Sequence, residues 1–274
     1  MARQARRPTL EDVLELSGIE VLHPGGLEIT KRIGEIVEMG GKDVLDVSCG
    51  RGTLPAYYAK TFRAQIVGID LSPDMIRSSV DRAKREGVEH LTEFRVANSL
   101  ALPFEDDSFD VVVNECAVGL TADPERCLAE MARVAKPAGH VVIHESTWLN
   151  KIPRDRAEEV ASRLGTVPYA LEEWKGMMEQ AGLIDLWVED WSGPENAAKI
   201  RPGRKLKDPN DVFSYWERLA IIFPKVVARY GVGGLLYANE SAQKVTPLYR
   251  NQTIGYSLIR GRKPIGGRHG GLQA

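Results

Sequence analysis

The chain has 274 residues, of which 43% are hydrophobic and 27% charged, with a formal net charge of −2. These are average globular values, so a full core can be buried, and no basic excess points to nucleic acid or an anionic membrane as a bulk partner. The basic start, Met1-Ala-Arg-Gln-Ala-Arg-Arg-Pro, lacks the apolar stretch of a secretory signal, and no run approaches the roughly 20 apolar residues of a membrane span.

Residues 9–38 read as two helices separated by Leu22-His23-Pro24-Gly25-Gly26, because Pro-Gly-Gly is strong turn punctuation. A short buried strand is predicted at 44–47, followed by a glycine-rich turn and a helix over 53–61. The next strand is 65–69. Ser72-Pro73 then opens a helix to about residue 85, with Ser72 as its cap and Pro73 at the first position, where no N–H is needed. Strands at 92–97 and 109–113, a helix over 124–135 and a strand at 139–145 continue the alternation. Strands alternating with helices imply βαβ units, a parallel sheet and right-handed crossovers, hence a doubly wound α/β fold. A helix over 169–181 stops at Gly182, and a strand at 183–189 follows. Residues 192–209 form a loop rich in Pro, Gly, Lys and Arg. After it come a helix over 212–230, a glycine-rich turn at 231–234 and a last strand at 254–261. The tail, 263–274, is expected to be disordered.

Open α/β sheets bind ligands at the carboxyl ends of their strands. There, Asp46-Val47-Ser48-Cys49-Gly50-Arg51-Gly52 joins the first strand to its helix. Its glycines let the backbone approach a ligand, and the helix start beyond them offers N–H groups to an anion. Asp70, roughly 20 residues after this turn, is placed to hydrogen-bond ribose hydroxyls. A dinucleotide site would continue G-x-G-x-x-G, but the third position is Pro55. Asp46 would repel a pyrophosphate, whereas it can order the loop or receive the ammonium of an amino acid. A cofactor that is nucleoside at one end and amino acid at the other fits both facts, and S-adenosylmethionine (SAM) is such a molecule.

The stretches Val44–Gly52, Gly68-Ile69-Asp70-Leu71-Ser72, Leu102–Asp110 and Arg133-Val134-Ala135-Lys136-Pro137-Ala138-Gly139 together resemble a class I SAM-dependent methyltransferase. Within that class the chain is most similar to the group containing the ubiquinone/menaquinone C-methyltransferases. The resemblance covers about residues 40–146 and implies a mostly parallel seven-stranded sheet. It also implies that Asp46, Ser48, Gly50 and Gly52 surround the methionine moiety, that Asp70 holds the ribose, and that Leu71 and Met75 line the adenine. Asn98 and Ser99 would read the adenine edge, with Asn114 beside the sulfonium. Ser48, Asn98 and Ala138 depart from the usual glycine, aspartate and glycine. Asn98 can still accept from an adenine amino group. The implied organisation is one domain, 1–274: N-terminal helices 1–39, a cofactor half 40–146, and a substrate half 147–262 with a cap at about 192–250.

Methyl transfer is a displacement at an activated carbon, so positioning dominates and a base is needed only if the acceptor loses a proton. Candidates are Glu115 and Cys116 after the fourth strand and His144 and Glu145 after the fifth. His144 comes first because imidazole titrates near neutrality; the alternative is a histidine bonded at a strand end. His23 is a further candidate, against an ordinary turn. The aromatics Phe213, Tyr215, Trp216, Phe223, Tyr230 and Tyr237 fall in the cap region and read first as helix packing. Lys199, Arg201, Arg204, Lys205 and Lys207 form a basic loop that is usually just solvated. Cys49, Cys116 and Cys127 share no metal spacing, so no metal site and no three-thiol metalloid site is expected, and reduced thiols suit a cytoplasmic protein. Three functions are therefore weighed: methylation of a small-molecule acceptor, RNA methylation, and SAM binding without turnover. Asn114-Glu115-Cys116-Ala117 lacks the Asn/Asp-Pro-Pro-aromatic motif of exocyclic base-amine methylation, which argues against the second.

Overall fold

Val44, Leu45 and Val47 are fully shielded from solvent, which is what a strand flanked on both sides and covered on both faces requires. They lie in β1 (Asp43–Val47), an interior strand of the sheet in a computed structural model that describes residues 6–18, 21, 23–193, 196 and 213–266. β1 pairs in parallel with β2 (Gln65–Asp70) on one side and β4 (Phe109–Glu115) on the other. β3 (Thr92–Val96) extends the first side, and β5 (Ala135–Trp148) the second. β8 (Ile254–Arg262) and β7 (Ile184–Asp190) complete the order β3-β2-β1-β4-β5-β8-β7, and the two-residue β6 (Tyr169–Ala170) pairs with β5. Ala138 N–H donates to Lys263 O while Leu149 N–H donates to Thr253 O, so β8 runs antiparallel to β5. The expected seven strands are present in a mixed, mostly parallel sheet.

The connecting helices are α3 (Thr53–Phe62), α4 (Pro73–Glu86), α5 (Pro124–Val134) and α7 (Leu171–Gln180). Ser72 caps α4, its hydroxyl accepting from Met75 N–H, with Pro73 at the first position as the sequence predicts. Before the sheet come α1 (Leu10–Ser17), closed by a Thr9/Asp12 capping box, and α2 (Gly26–Ile36).

Contacts cluster into two compact units. The sheet unit comprises Glu28–Glu145, Leu171–Glu189 and Ser257–Ala274; the helical unit comprises Met1–Leu27, Ser146–Ala170 and Asp190–Tyr256. The helical unit holds α1, α6 (Arg154–Leu164) and α8 (Phe223–Arg250), the last preceded by a helical turn at Tyr215–Glu217 and a π-helical segment at Arg218–Ile222. Its small core is Val160, Leu164, Val245, Leu248 and Ile254.

The helical unit adds detail that the sequence reading lacks. The break expected after residue 230 is present at Gly231 (φ 73°, ψ 177°), where α8 is two helices joined across a kink; it is confined to that residue, and the second helix runs on through Gly234 to Arg250. Gly234 is buried against Tyr230, so glycine is there for close packing and not for a turn. The helix α6 was hidden by its charge, because Arg154–Glu158 and Arg163–Glu159 ion pairs replace an obvious apolar stripe. The segment Tyr215–Arg250, interrupted at Gly231, is long and apolar enough to cross a membrane by length and composition alone. The basic residues 199–207 and the tail beyond 266 lie outside the described residues.

Candidate active site

The turn after β1 is shaped by backbone conformations that side chains resist. Ser48 (φ 67°), Gly50 (φ 55°) and Gly52 (φ 74°) are all left-handed. A Cβ on Gly52 would stand 2.8 Å from Ser79 Cα, so α4 packs directly on the turn, while the space beside Gly50 is open. Asp70 fixes the turn from the neighbouring strand end: one carboxylate oxygen accepts from Gly50 N–H (3.0 Å) and the other from Ser72 N–H (2.8 Å). Burial outweighs these bonds and raises its pKa. Ser79 donates to Gly50 O (2.9 Å) and Arg82 to Arg51 O (3.1 Å). Neither residue was singled out from the sequence. The available signal was a serine and an arginine on the otherwise apolar buried face of α4, with Ile76 and Ala83.

Two polar atoms at this turn are buried without a hydrogen-bond partner: Asp46 Oδ2 and Thr53 Oγ1. Burial, then Glu115, then Asp70 push the Asp46 carboxyl well above its ordinary range. Buried polar groups are normally paired, so unpaired ones beside a glycine turn call for a ligand. The start of α3 adds to this: its N-cap is Gly52, with no side-chain cap, which leaves the Thr53 and Leu54 N–H groups available. An acid for an ammonium and a hydroxyl plus a bare helix start for a carboxylate suit an amino-acid moiety.

At the next strand ends, Leu71 (72% exposed) and Val96 (52%) offer apolar surface to a planar base. Met75 is half-buried behind them. Asn98 is exposed, its Oδ1 accepting from Leu100 N–H, and Ser99 hydrogen-bonds to Cys127.

Of the catalytic candidates, Glu115 ends β4 and Cys116 follows it, whereas His144 and Glu145, expected after the fifth strand, lie inside β5, which runs on to Trp148. Asn114 is buried and spends its amide on the protein: Nδ2 donates to Val47 O, and Oδ1 accepts from Ala117 and Val118 N–H. It thereby fixes the turn beyond β4. Glu115 accepts from Tyr58 Oη (2.6 Å) and Thr30 Oγ1 (3.0 Å). Glu145 accepts from Val118 N–H at 2.7 Å. His144 is completely buried, with Nδ1 3.5 Å from the Sγ of half-buried Cys116. His23 belongs to the helical unit, where its Nδ1 lies 3.2 Å from Pro24 O. No group of three or more metal-ligating side chains occurs among the described residues.

Comparison with known proteins agrees with this architecture. A family model described as a methyltransferase domain matches residues 45–143. Phosphoethanolamine N-methyltransferase 1 of Arabidopsis thaliana is 32% identical over 167 residues, 61% of this chain and 34% of that protein. Tocopherol O-methyltransferase of the same plant is 26% identical over 235 residues, 82% of this chain and 64% of that protein. The chain thus spans a third to just under two thirds of the length of these relatives. Among solved structures, the [4+2]-cyclase SpnF superposes with a TM-score of 0.73 at 22% identity, covering 96% of this chain and 100% of that one. Residues 45–143 are thus similar to methyltransferase domains.

Proposed function

We propose that the protein transfers a methyl group from SAM to a small-molecule acceptor, leaving S-adenosylhomocysteine. The observation that carries this reading is the pair of partnerless buried atoms, Asp46 Oδ2 and Thr53 Oγ1, at a turn that Asp70, Ser79 and Arg82 hold open. Bound there, SAM supplies a methyl carbon already activated by a sulfonium. The chain's own residues bind and orient. Asp46 holds the ammonium, Ser48, Gly50 and Gly52 let the backbone close on the methionine moiety, and the start of α3 takes its carboxylate. Asp70 still has acceptor capacity for ribose hydroxyls, because a carboxylate offers about four acceptor positions and its backbone partners are Gly50, Ser72 and Leu71. Leu71 and Met75 flank the adenine, Asn98 and Ser99 meet its edge, and Asn114 shapes the wall by the sulfonium.

The motif set resembles that of the ubiquinone/menaquinone C-methyltransferase-like group, so quinone-type ring precursors head the acceptors to be tested, followed by amines and hydroxyls. Three unbridged thiols accord with a cytoplasmic location. The test is release of S-adenosylhomocysteine from purified protein and SAM across quinone precursors, amines, phenols, thiols, arsenite and RNA. Turnover with one small-molecule class supports the reading. Tight SAM binding with silence throughout would replace it with a non-catalytic binder, and turnover with RNA alone would overturn the acceptor class.

A further inference from the structure

The three cysteines sit in sharply different surroundings. Cys49 is 5% exposed, and burial, with Asp46 and Asp70 adding to it, pushes its thiol up. Cys127 is wholly buried, and its thiol is pushed up to about 12 chiefly by burial. Both are inert as nucleophiles or bases. Cys116 is different. It is half-buried at the open end of β4, its backbone is left-handed (φ 60°), and its Sγ lies 3.5 Å from Nδ1 of His144. A second bond fixes the pair, since Cys116 N–H donates to His144 O at 2.7 Å.

Burial decides the order of action. His144 has no exposed surface, so it cannot meet an acceptor that enters from solvent, whereas Cys116, in contact with it, is only half-buried. The neighbouring acids are committed elsewhere: Glu115 to Tyr58 and Thr30, Glu145 to Val118 N–H. Asp46 is directed to the cofactor by the reading above. Among the ionisable groups named here on these neighbouring strands, a thiol backed by an imidazole is the arrangement placed to take a proton.

We infer that Cys116 and His144 form a thiol–imidazole relay on the acceptor side of the site, with Cys116 touching the acceptor and His144 positioning and charging it from behind. This rests on the methyl-transfer reading. The thiol proton passes to Nδ1, giving a thiolate beside an imidazolium. As the acceptor's X–C bond forms, the methyl–sulfur bond of SAM breaks and its electron pair stays on that sulfur. The acceptor's X–H pair stays on X, its proton goes to Cys116 Sγ, and one proton then leaves to solvent.

The test is iodoacetamide alkylation of the full chain from pH 5 to 9, read by mass spectrometry of the three cysteine peptides. Cys116 is expected to react at least about 10-fold faster than Cys49 or Cys127 at pH 7, with a midpoint below the ordinary thiol value of about 8.5. His144→Gln should return that midpoint to the ordinary value, and His144→Asn serves as a second variant should the first misfold. An ordinary midpoint in the wild type, or one indifferent to His144, overturns the pairing. With an acceptor that turns over, stoichiometric alkylation of Cys116 should leave S-adenosylhomocysteine affinity within about twofold and lower kcat at least about 10-fold. Full turnover after alkylation overturns the catalytic role. The alkylation profile reads the pair without any acceptor, so its failure is distinct from failure of the methyl-transfer reading.

Discussion

The two compact units put their most telling polar side chains to different uses. In the sheet unit, Asp70, Ser79, Asn114 and Glu145 are turned onto backbone groups of loops, fixing the shape of turns at strand ends. In the helical unit, side chains grip side chains. Arg163 on α6 reaches Glu159 on its own helix and Glu240 and Ser241 on α8, and stacks on the Tyr237 ring. The first pattern builds a ligand site and the second sets helix register. A substitution in the first should therefore be read in binding, and one in the second in stability.

The largest expected effect is at Asp46. Asp46→Asn removes the ammonium partner, a loss of about 3 kcal/mol, and should weaken S-adenosylhomocysteine binding roughly 100-fold by calorimetry. The same change should stabilise the ligand-free protein by roughly 2–6 °C, because the cost of an unpaired buried carboxylate disappears. The pH dependence has a definite sign. Burial, then Glu115, then Asp70 hold the folded pKa of Asp46 up, so the folded state binds more protons than the unfolded one. Its contribution to stability is full below the ordinary carboxylate range and is lost as pH rises through the raised value. The gain in Tm from Asp46→Asn should therefore grow with pH, while wild-type cofactor affinity falls as pH drops. A binding loss without any gain in Tm would mean that the carboxylate supports the fold, not the ligand.

Gly52→Ala comes next. Its φ of 74° and the 2.8 Å approach to Ser79 Cα give an alanine no room, and because the obstacle is backbone, α4 would have to shift. We expect about 2–3 kcal/mol lost in denaturant unfolding and at least about 10-fold weaker cofactor binding.

These two positions also show what the sequence could tell. Asp46 and Gly52 were legible because a parallel sheet fixes where its first turn must lie, and glycine and an acid at that spot are tied to local backbone geometry. Strand β1 and the cap of α4 were legible for the same local reason. Arg163 was not. Its partners Glu240 and Ser241 are far along the chain, and nothing in the local pattern of α6 announces them. Gly231 was legible as a helix break, whereas Gly234 reads locally as part of the same turn and instead lies in the second helix, packed against Tyr230. The Cys116–His144 contact joins the residue just beyond β4 to one inside the adjacent parallel β5, so it needed the register that pairs Glu115 with His144.

Arg163→Ala tests the other side of the comparison. It strips the Tyr237 ring of its stacked cation and leaves the buried Ser241 without this partner. The exposed Glu159 and Glu240 limit the electrostatic share, so packing and the hydroxyl dominate a loss of about 1–3 kcal/mol. Affinity for S-adenosylhomocysteine should stay within about threefold in isothermal titration; a larger change would erase the distinction between the units.

The smallest effects separate strain from site. Ser48 (φ 67°) and Ala138 (φ 64°) are the two places where the sequence departs from a usual glycine, and both hold the left-handed conformation that glycine adopts without cost. Replacing a side chain there relieves about 1–2 kcal/mol of backbone strain, offset by roughly 0.5–1 kcal/mol of glycine entropy. Ser48→Gly and Ala138→Gly should each therefore raise Tm by roughly 1–3 °C. Ala138 is exposed beside the β5–β8 pairing, so its variant should leave cofactor affinity unchanged. Ser48 lies in the turn itself, and a more mobile glycine there must be ordered on binding, so Ser48→Gly should weaken affinity about twofold to fivefold despite the higher Tm. Equal affinity in the two variants would show that Ser48 contributes strain alone, and that Asp70, Ser79 and Arg82 suffice to hold the turn in its binding shape.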